Sequence, residues 1–274
     1  MVFPSARRGR KRYVVPFAMT LGVVAGGAPS AWAESPIETT GGTSAPEIAP
    51  RPWLYLDDPS LPAPLHAVAF TRATYTRDES PTRPFGANVS RPGGILEAGG
   101  EVGLLPSLSL AASGFAGGDQ LGFGALAGLR FEPMHGVWKT THLVLSGGYL
   151  RELNGGDGAW MRVSLAQDVQ RLRLGVTAHG EHVFAAGRDP VDVLFMAGVS
   201  YAVAGPLRAG IEYVAQDLEE TFSDEAEGGV RQFLGPEVAL ELLDKRLSIA
   251  AGPAMGLGPQ SPPYSGRFSL AYEY

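Results

Sequence analysis

The last eight residues of the chain constrain its fold more than any other segment. In residues 267–274, large apolar or aromatic side chains alternate with small, polar or charged ones. On a strand, one face would carry Phe268, Leu270, Tyr272 and Tyr274, and the other would carry Arg267, Ser269, Ala271 and Glu273. An edge strand leaves backbone groups unpaired and invites aggregation. A closed barrel has no such edge, because its last strand pairs with its first.

The first 33 residues have the layout of a secretory signal peptide. Basic residues cluster at positions 7–12, an apolar stretch covers residues 13–28, and Ala31-Trp32-Ala33 follows. A small-x-small triplet after such a stretch is typical of a signal cleavage site. An uncleaved anchor is less compatible with the pattern, because the apolar run is short and contains Pro16. We predict cleavage after Ala33.

Composition excludes several classes of function. The chain has no cysteine, so disulfides, thiolate catalysis and cysteine metal sites are ruled out. Removal of residues 1–33 takes away five basic and no acidic residues, which moves the net charge from −6 to −11. A protein this acidic is unsuited to nucleic acid, because phosphate contacts need basic surface. No cofactor is expected either.

Residues 34–64 are rich in proline and are predicted to be a linker or arm on the periplasmic side. Trp53, Leu54 and Tyr55, followed by Leu56, form the one apolar cluster in this segment. Three interpretations stay open for the cluster. It could tether the chain at the membrane edge, where aromatic residues are common, bind a partner protein, or plug the mouth of the barrel.

From about residue 65 onward, alternating segments of about ten residues recur between turn residues, which is typical of transmembrane barrels. A soluble sandwich would alternate as well. The polar face is rich in Gly and Ala, however, and aromatic residues recur near strand ends, which favours an antiparallel up-and-down transmembrane β-barrel over residues 65–274. We predict twelve strands, with ten as the alternative count, at residues 65–75, 95–104, 107–116, 121–131, 140–150, 159–169, 172–183, 191–202, 207–216, 231–242, 246–256 and 265–274.

The connections between these segments alternate in length. Most connections after even-numbered strands are short, whereas those after odd-numbered strands include the longest, residues 76–94 and 217–230. Outer-membrane barrels have short periplasmic turns and longer extracellular loops. With an even number of strands, both ends of the barrel are therefore expected in the periplasm.

The signal peptide, the repeated hairpins and the terminal strand resemble those of bacterial outer-membrane β-barrel proteins, although no motif identifies a subfamily. The resemblance implies residence in the outer membrane, in contact with its lipids and lipopolysaccharide. It also implies that the barrel-assembly machinery recognises a terminal signal made of Phe268, Leu270, Tyr272 and Tyr274. Other partners would be periplasmic or outer-membrane proteins.

A search for catalytic or metal-binding groups yields one dense cluster, His179-Gly180-Glu181-His182. On a strand, His179 and Glu181 share a face while His182 points the other way, so all three cannot bind one metal ion. No serine has a spacing that recommends it as a nucleophile, and we predict neither catalytic nor metal-binding residues. The six carboxylates in residues 217–227 are predicted to form a solvated loop, because like charges repel one another.

Charged residues on the inward face form a more consistent pattern than the histidine cluster or the acidic loop. The alternation directs ten of them into the barrel, with both signs in similar number: Glu97, Glu101, Arg130, Arg162, Arg173, Arg208, Glu212, Glu241, Arg267 and Glu273. Opposed charges could select ions in a water-filled channel. They could instead form a salt-bridged interior, because a lone buried charge is costly.

We therefore predict a narrow porin-like channel for small solutes. A second hypothesis is a non-transporting barrel that anchors an envelope-spanning complex for motility, adhesion or export through its N-terminal arm. A third is an outer-membrane hydrolase.

Overall fold

The structure, a computed structural model, describes residues 56, 58–76, 93–117, 122–135, 137, 140–152, 156–185, 191–216, 218, 230–258 and 261–274. The predicted signal peptide, the cluster formed by Trp53, Leu54 and Tyr55, and all of the acidic loop except Leu218 lie outside these residues.

Twelve antiparallel strands close into a single barrel, with each strand next to its neighbours in sequence. This confirms the predicted up-and-down architecture and the strand count of twelve. The strands are Ala67–Thr76 (β1), Gly93–Leu105 (β2), Leu108–Gly117 (β3), Gly122–Phe131 (β4), Thr141–Arg151 (β5), Asp157–Val169 (β6), Leu172–Val183 (β7), Asp192–Ala204 (β8), Leu207–Gln216 (β9), Arg231–Leu242 (β10), Leu247–Gly256 (β11) and Tyr264–Glu273 (β12).

The first and last strands close the barrel. Ala69 is paired with Tyr272 and Ala73 with Phe268 in an unbroken antiparallel register. Beyond this ladder, the backbone N–H of Ala67 donates to the carbonyl of Tyr274 at 3.1 Å, and the N–H of Tyr274 donates back at 3.0 Å. The backbone groups of the terminal strand are thus satisfied on both sides, as closure requires.

The outer face of the barrel is apolar and exposed, the reverse of a soluble protein. Phe123 is 62 % and Met161 66 % exposed, while buried polar side chains lie at alternate positions. The predicted outward residues of the last strand follow this pattern, with Phe268, Tyr272 and Tyr274 all exposed and Leu270 half-buried. A continuous apolar surface around a closed barrel matches the lipid-facing band of a transmembrane barrel. Within the described residues, no helix has the length and apolar character to cross a membrane.

Short turns join most strands at one end of the barrel. This is the end where β1 begins and β12 ends. Pro106 and Ser107 connect β2 to β3, and Gly205 and Pro206 connect β8 to β9. Positive φ angles, which the primed types of hairpin turn require, occur in the β8–β9 turn, where Gly205 has a φ of 51°. We call this end the turn end and the opposite one the loop end.

Candidate functional site in the barrel interior

The ten charged residues predicted to point inward all lie on strands, at buried or nearly buried positions. Nine of them are at most 9 % exposed, and the side chain of Glu241 is 9 % exposed. Oppositely charged partners meet in several places. Arg130 contacts Glu101, which also accepts a hydrogen bond of 2.6 Å from the Ser109 hydroxyl. The Nε of Arg208 lies 3.7 Å from Oε1 of Glu241. The interior at the turn end is thus at least partly salt-bridged, which is one of the two arrangements that the sequence left open.

A second layer, which we call the apolar ring, lies beyond these charges. Each of the ten strands β2–β11 contributes one buried apolar side chain to it, and Leu56 completes the cluster. The strand residues are Ile95, Phe115, Leu126, Leu150, Trp160, Val183, Met196, Val214, Phe233 and Ala254. Most of them lie near the loop ends of their strands. The interior therefore has an apolar layer toward the loop end, where charged side chains such as Glu181 are also buried.

The end of the predicted linker lies inside the barrel. We call residue 56 and residues 58–64 the inner segment. Oδ1 of Asp58 lies 3.1 Å from Nη2 of Arg173, and the same guanidinium nitrogen donates to the Ser60 hydroxyl at 3.1 Å. Arg130 donates to the backbone carbonyl of Asp58. The segment is thus bound by two of the predicted interior arginines.

Leu56 and Pro64 mark the two ends of the inner segment. The backbone N–H of Leu56 donates to Oε1 of Glu212 at 3.2 Å, and its side chain packs in the apolar ring. Pro64 forms an isolated bridge to Gly103 at the turn end. A side chain at position 103 would collide with the backbone of Ala63, because its Cβ would lie 2.2 Å from the Ala63 oxygen. The inner segment runs from the turn end, past the charged layer, to the apolar ring.

The inner segment is the last part of the predicted arm at residues 34–64. The prediction placed the arm outside the barrel, with a plug at the barrel mouth as one alternative for its apolar cluster. The described part of the arm lies inside the barrel, with Leu56, Asp58 and Ser60 buried and Pro64 exposed at the turn end. The role of the apolar cluster stays a prediction. Trp53, Leu54 and Tyr55 fall outside the described residues.

A cavity of ≈ 70 Å³ lies beside the inner segment. Three acidic and three basic side chains line it, together with apolar and aromatic ones. The charged residues are Asp58, Arg72, Glu97, Glu101, Arg130 and Arg162; Phe70, Leu126 and Trp160 are among the others. A cavity of this volume has room for a few water molecules, since benzene already needs about 150 Å³, and its lining offers both charged and apolar contacts.

The histidine cluster on β7 is split between the two faces of the wall. His179 and Glu181 are buried inside, with Nε2 of His179 3.2 Å from Oε2 of Glu181. Arg162 donates to Nδ1 of His179 at 3.4 Å, and Trp160 stacks on the histidine ring at 6.0 Å. His182 lies on the outer face, as the alternation predicts. No group of three or more metal-ligating side chains occurs within the described part of the chain.

A chain of polar contacts at the turn end was not predicted from the sequence. Glu132, just after β4, contacts Nδ1 of His135 at 2.8 Å and Nδ1 of His142 at 3.1 Å. The other ring nitrogen of His142 lies 4.0 Å from Asp168, which pairs with Arg173 at 3.0 Å. Burial alone would raise the pKa of Glu132, but the hydrogen bonds of His142 and His135 outweigh it and lower this pKa below its usual value. These contacts join residues that share no sequence pattern.

Comparison with solved structures shows which known proteins share this fold. No protein-family model matches the chain, and no curated protein sequence matches it. A KdgM porin is similar in structure, with a TM-score of 0.54 and 7 % identity over 76 % of this chain and 99 % of that one. The COG4313 outer membrane channel from Pseudomonas putida F1 gives a TM-score of 0.52 and 10 % identity over 83 % of this chain and 100 % of that one. At these identities the likeness concerns the fold, and the chain has the fold of the bacterial outer-membrane β-barrels, as the sequence resemblance implied.

Proposed function

We propose that the protein is a narrow outer-membrane channel for small solutes, and that the inner segment closes its interior in the arrangement described. The observation that carries this proposal is that the element at the centre of the barrel is not part of the wall. Asp58, Ser60 and Leu56 belong to chain that precedes β1, and they occupy the space between strands as distant as β4 and β9.

The geometry of the wall supports a removable closing element. Barrel diameter grows with strand number, and about eight strands already leave an interior that side chains just fill. A barrel of twelve strands has more room than its own inward side chains need. The inner segment fills part of that room, so its departure would leave a path lined by charges of both signs.

The contacts that join neighbouring strands are also stronger than those that join the inner segment to the wall. Neighbouring strands are joined by ladders of backbone hydrogen bonds along most of their length. The inner segment is joined to the wall by a small set of contacts, chiefly those of Asp58, Ser60 and Leu56 with Arg130, Arg173 and Glu212. Each hydrogen bond to a charged group contributes about 1.5–3 kcal/mol net. These few contacts are much weaker together than the ladders of the wall, so the segment could leave while the barrel stays folded.

Conductance in planar bilayers tests the proposal. The protein extracted from membranes should give discrete openings. D58A/S60A should open more often, because both side chains of the inner segment that bind Arg173 are removed. D244N serves as a matched control and should behave like the wild type, because Asp244 is exposed in the β10–β11 turn and asparagine tolerates its positive φ. Heat-modifiable mobility on gels verifies that each barrel is folded.

Silence of both the wild type and D58A/S60A, with both folded, would contradict the channel. Co-purification of envelope proteins with such a silent barrel would support the anchor hypothesis instead. If the wild type and D58A/S60A open at the same frequency, the protein is a channel but the inner segment is not its closing element.

A further inference from the structure

The seam between β10 and β11 is interrupted halfway along the wall. Leu234 is paired with Met255, and Val238 with Ala251, but the three residue pairs between them are not bonded. The register on both sides of the gap places Pro236 directly opposite Pro253. Two prolines thus face each other in the middle of the two strands.

The prolines explain the gap. Proline has no backbone N–H and is normally confined to edge strands or bulges. On their other sides the same strands are fully registered, with Pro236 paired to Ile211 of β9 and Pro253 to Gly266 of β12. The missing donors therefore point into the shared β10–β11 seam. Two hydrogen bonds of the ladder are lost there, and the two proline carbonyls have no backbone donor across the seam.

Such a gap is unfavourable in a membrane, because lipid offers no hydrogen bonds to backbone groups. The outer side of the gap is apolar, whereas its inner side carries the buried carboxylate of Glu237 beside apolar groups. On the outside, Val238 is 51 % and Met255 57 % exposed. On the inside, Phe233 and Ala254 flank the gap and belong to the apolar ring. This interruption of the ladder thus adjoins the apolar ring.

We infer that the β10–β11 seam is a lateral port through which amphipathic small molecules pass from the interior of the barrel to the membrane. The inference rests on the proposed channel, because the molecule must first enter the interior. Once the inner segment has left, the charged and aromatic side chains that line the cavity beside it would contact the two parts of an amphipathic molecule. The apolar ring then leads its apolar part to Phe233 and Ala254, beside the gap.

The chain has no cysteine, so a disulfide can lock the seam without side reactions. In P236C/P253C, the two Cα atoms would lie about 5.5 Å apart as a hydrogen-bonded pair, a distance that suits a disulfide. V163C/A178C provides a matched control, because Val163 and Ala178 are paired on the outer face of the fully registered β6–β7 seam.

The probe is 1-anilinonaphthalene-8-sulfonate, an amphipathic anion that fluoresces in apolar surroundings. Its initial entry rate is measured in cells that express each variant, with cells lacking the protein as background. Reduced P236C/P253C carries both N–H donors, like a valine pair at the same positions, and should admit the probe about tenfold more slowly than the wild type. Oxidation should lower this rate further to the background rate, and a reductant should return it to the rate of the reduced variant. Oxidation of V163C/A178C should leave the rate unchanged.

A second variant avoids the disulfide. P236V/P253V restores both N–H donors and should slow entry by about tenfold, because each restored hydrogen bond favours the closed seam by roughly a factor of two to ten. Gel mobility before and after boiling confirms that the variants are folded. Entry of the probe at the wild-type rate in folded, oxidised P236C/P253C or in folded P236V/P253V would overturn the lateral port.

Conductance of the same variants separates this inference from the proposed channel. Openings in the wild type without probe entry above background would reject the port and retain the channel. Probe entry that oxidation blocks, in a barrel that never conducts ions, would support the port and reject the ion-conducting channel.

Discussion

Asp58 and Arg173 form an ion pair inside the barrel, with Oδ1 and Nη2 3.1 Å apart although 115 residues separate them in the chain. Arg173 is 1 % exposed, and its other terminal nitrogen lies 3.0 Å from Asp168. One guanidinium thus joins the inner segment to the wall at the turn end. Arg173 binds two carboxylates at once, Asp58 of the inner segment and Asp168 of the wall. The inner segment and the wall therefore both depend on the charge of Arg173.

Arg173→Gln tests this dependence. Removal of one partner of a buried ion pair typically costs about 3–5 kcal/mol, since the other charge stays buried. We expect the variant to unfold at a lower temperature, as measured by heat-modifiable mobility, and to open more often in planar bilayers. R171Q is a suitable control, because Arg171 is exposed in the adjacent β6–β7 turn. Unchanged opening in a folded R173Q barrel would show that Arg173 does not hold the inner segment.

The wall could be predicted from the sequence because each strand carries its own signal. Alternation in residues 267–274 or 121–131 is local, and it fixes which side chains point inward. The largest shifts between predicted and observed bounds are about two residues. The first strand begins at Ala67 rather than at position 65, because Leu65 has a φ of 68° and lies in a turn.

The contents of the barrel could not be predicted in the same way. Proline-rich composition made residues 34–64 resemble a linker, because such a segment cannot bury enough apolar surface alone. Asp58 and Leu56 are nevertheless buried, since the barrel supplies the partners. Which charges pair is also non-local. Arg130 reaches Glu101 across an intervening strand, and alternation gives a side chain's direction but not its partner.

Glu97→Gln should make the open channel more selective for anions. The cavity that it lines has three acidic and three basic side chains, so loss of one acid leaves an excess positive charge beside Arg72, whose Nη1 lies 3.6 Å from Glu97. Reversal potentials across a KCl gradient measure the shift. D244N removes an exposed acid at the turn end and should not move the potential. An equal shift in both variants would indicate a surface-charge effect rather than a site in the lumen.

Gly128→Ala should destabilise the barrel and displace Trp160. A Cβ at position 128 would lie 2.4 Å from the Gly147 oxygen and 2.6 Å from Cζ2 of Trp160, so the backbone and the ring would both have to move. Overpacking of this kind typically costs about 1–3 kcal/mol. Gly266 provides the control, because a Cβ added there would meet no atom within 4 Å and G266A therefore has room. Melting by gel mobility and tryptophan fluorescence should change in G128A and stay close to wild type in G266A.

Glu132 should make the stability of the barrel depend on pH in the acid range. Because its pKa is lowered from 4.5 in the folded state, the carboxylate stabilises the fold above pH 4.5. This contribution is lost as the pH falls through the lower folded pKa, where the proton displaces the contacts with His135 and His142. Melting temperatures followed from pH 7 to pH 3 should therefore fall more steeply for the wild type than for E132Q, which has no group to titrate at this position. D244N keeps Glu132 and should retain the steep fall. Parallel curves for the wild type and E132Q would show that other carboxylates dominate the acid transition.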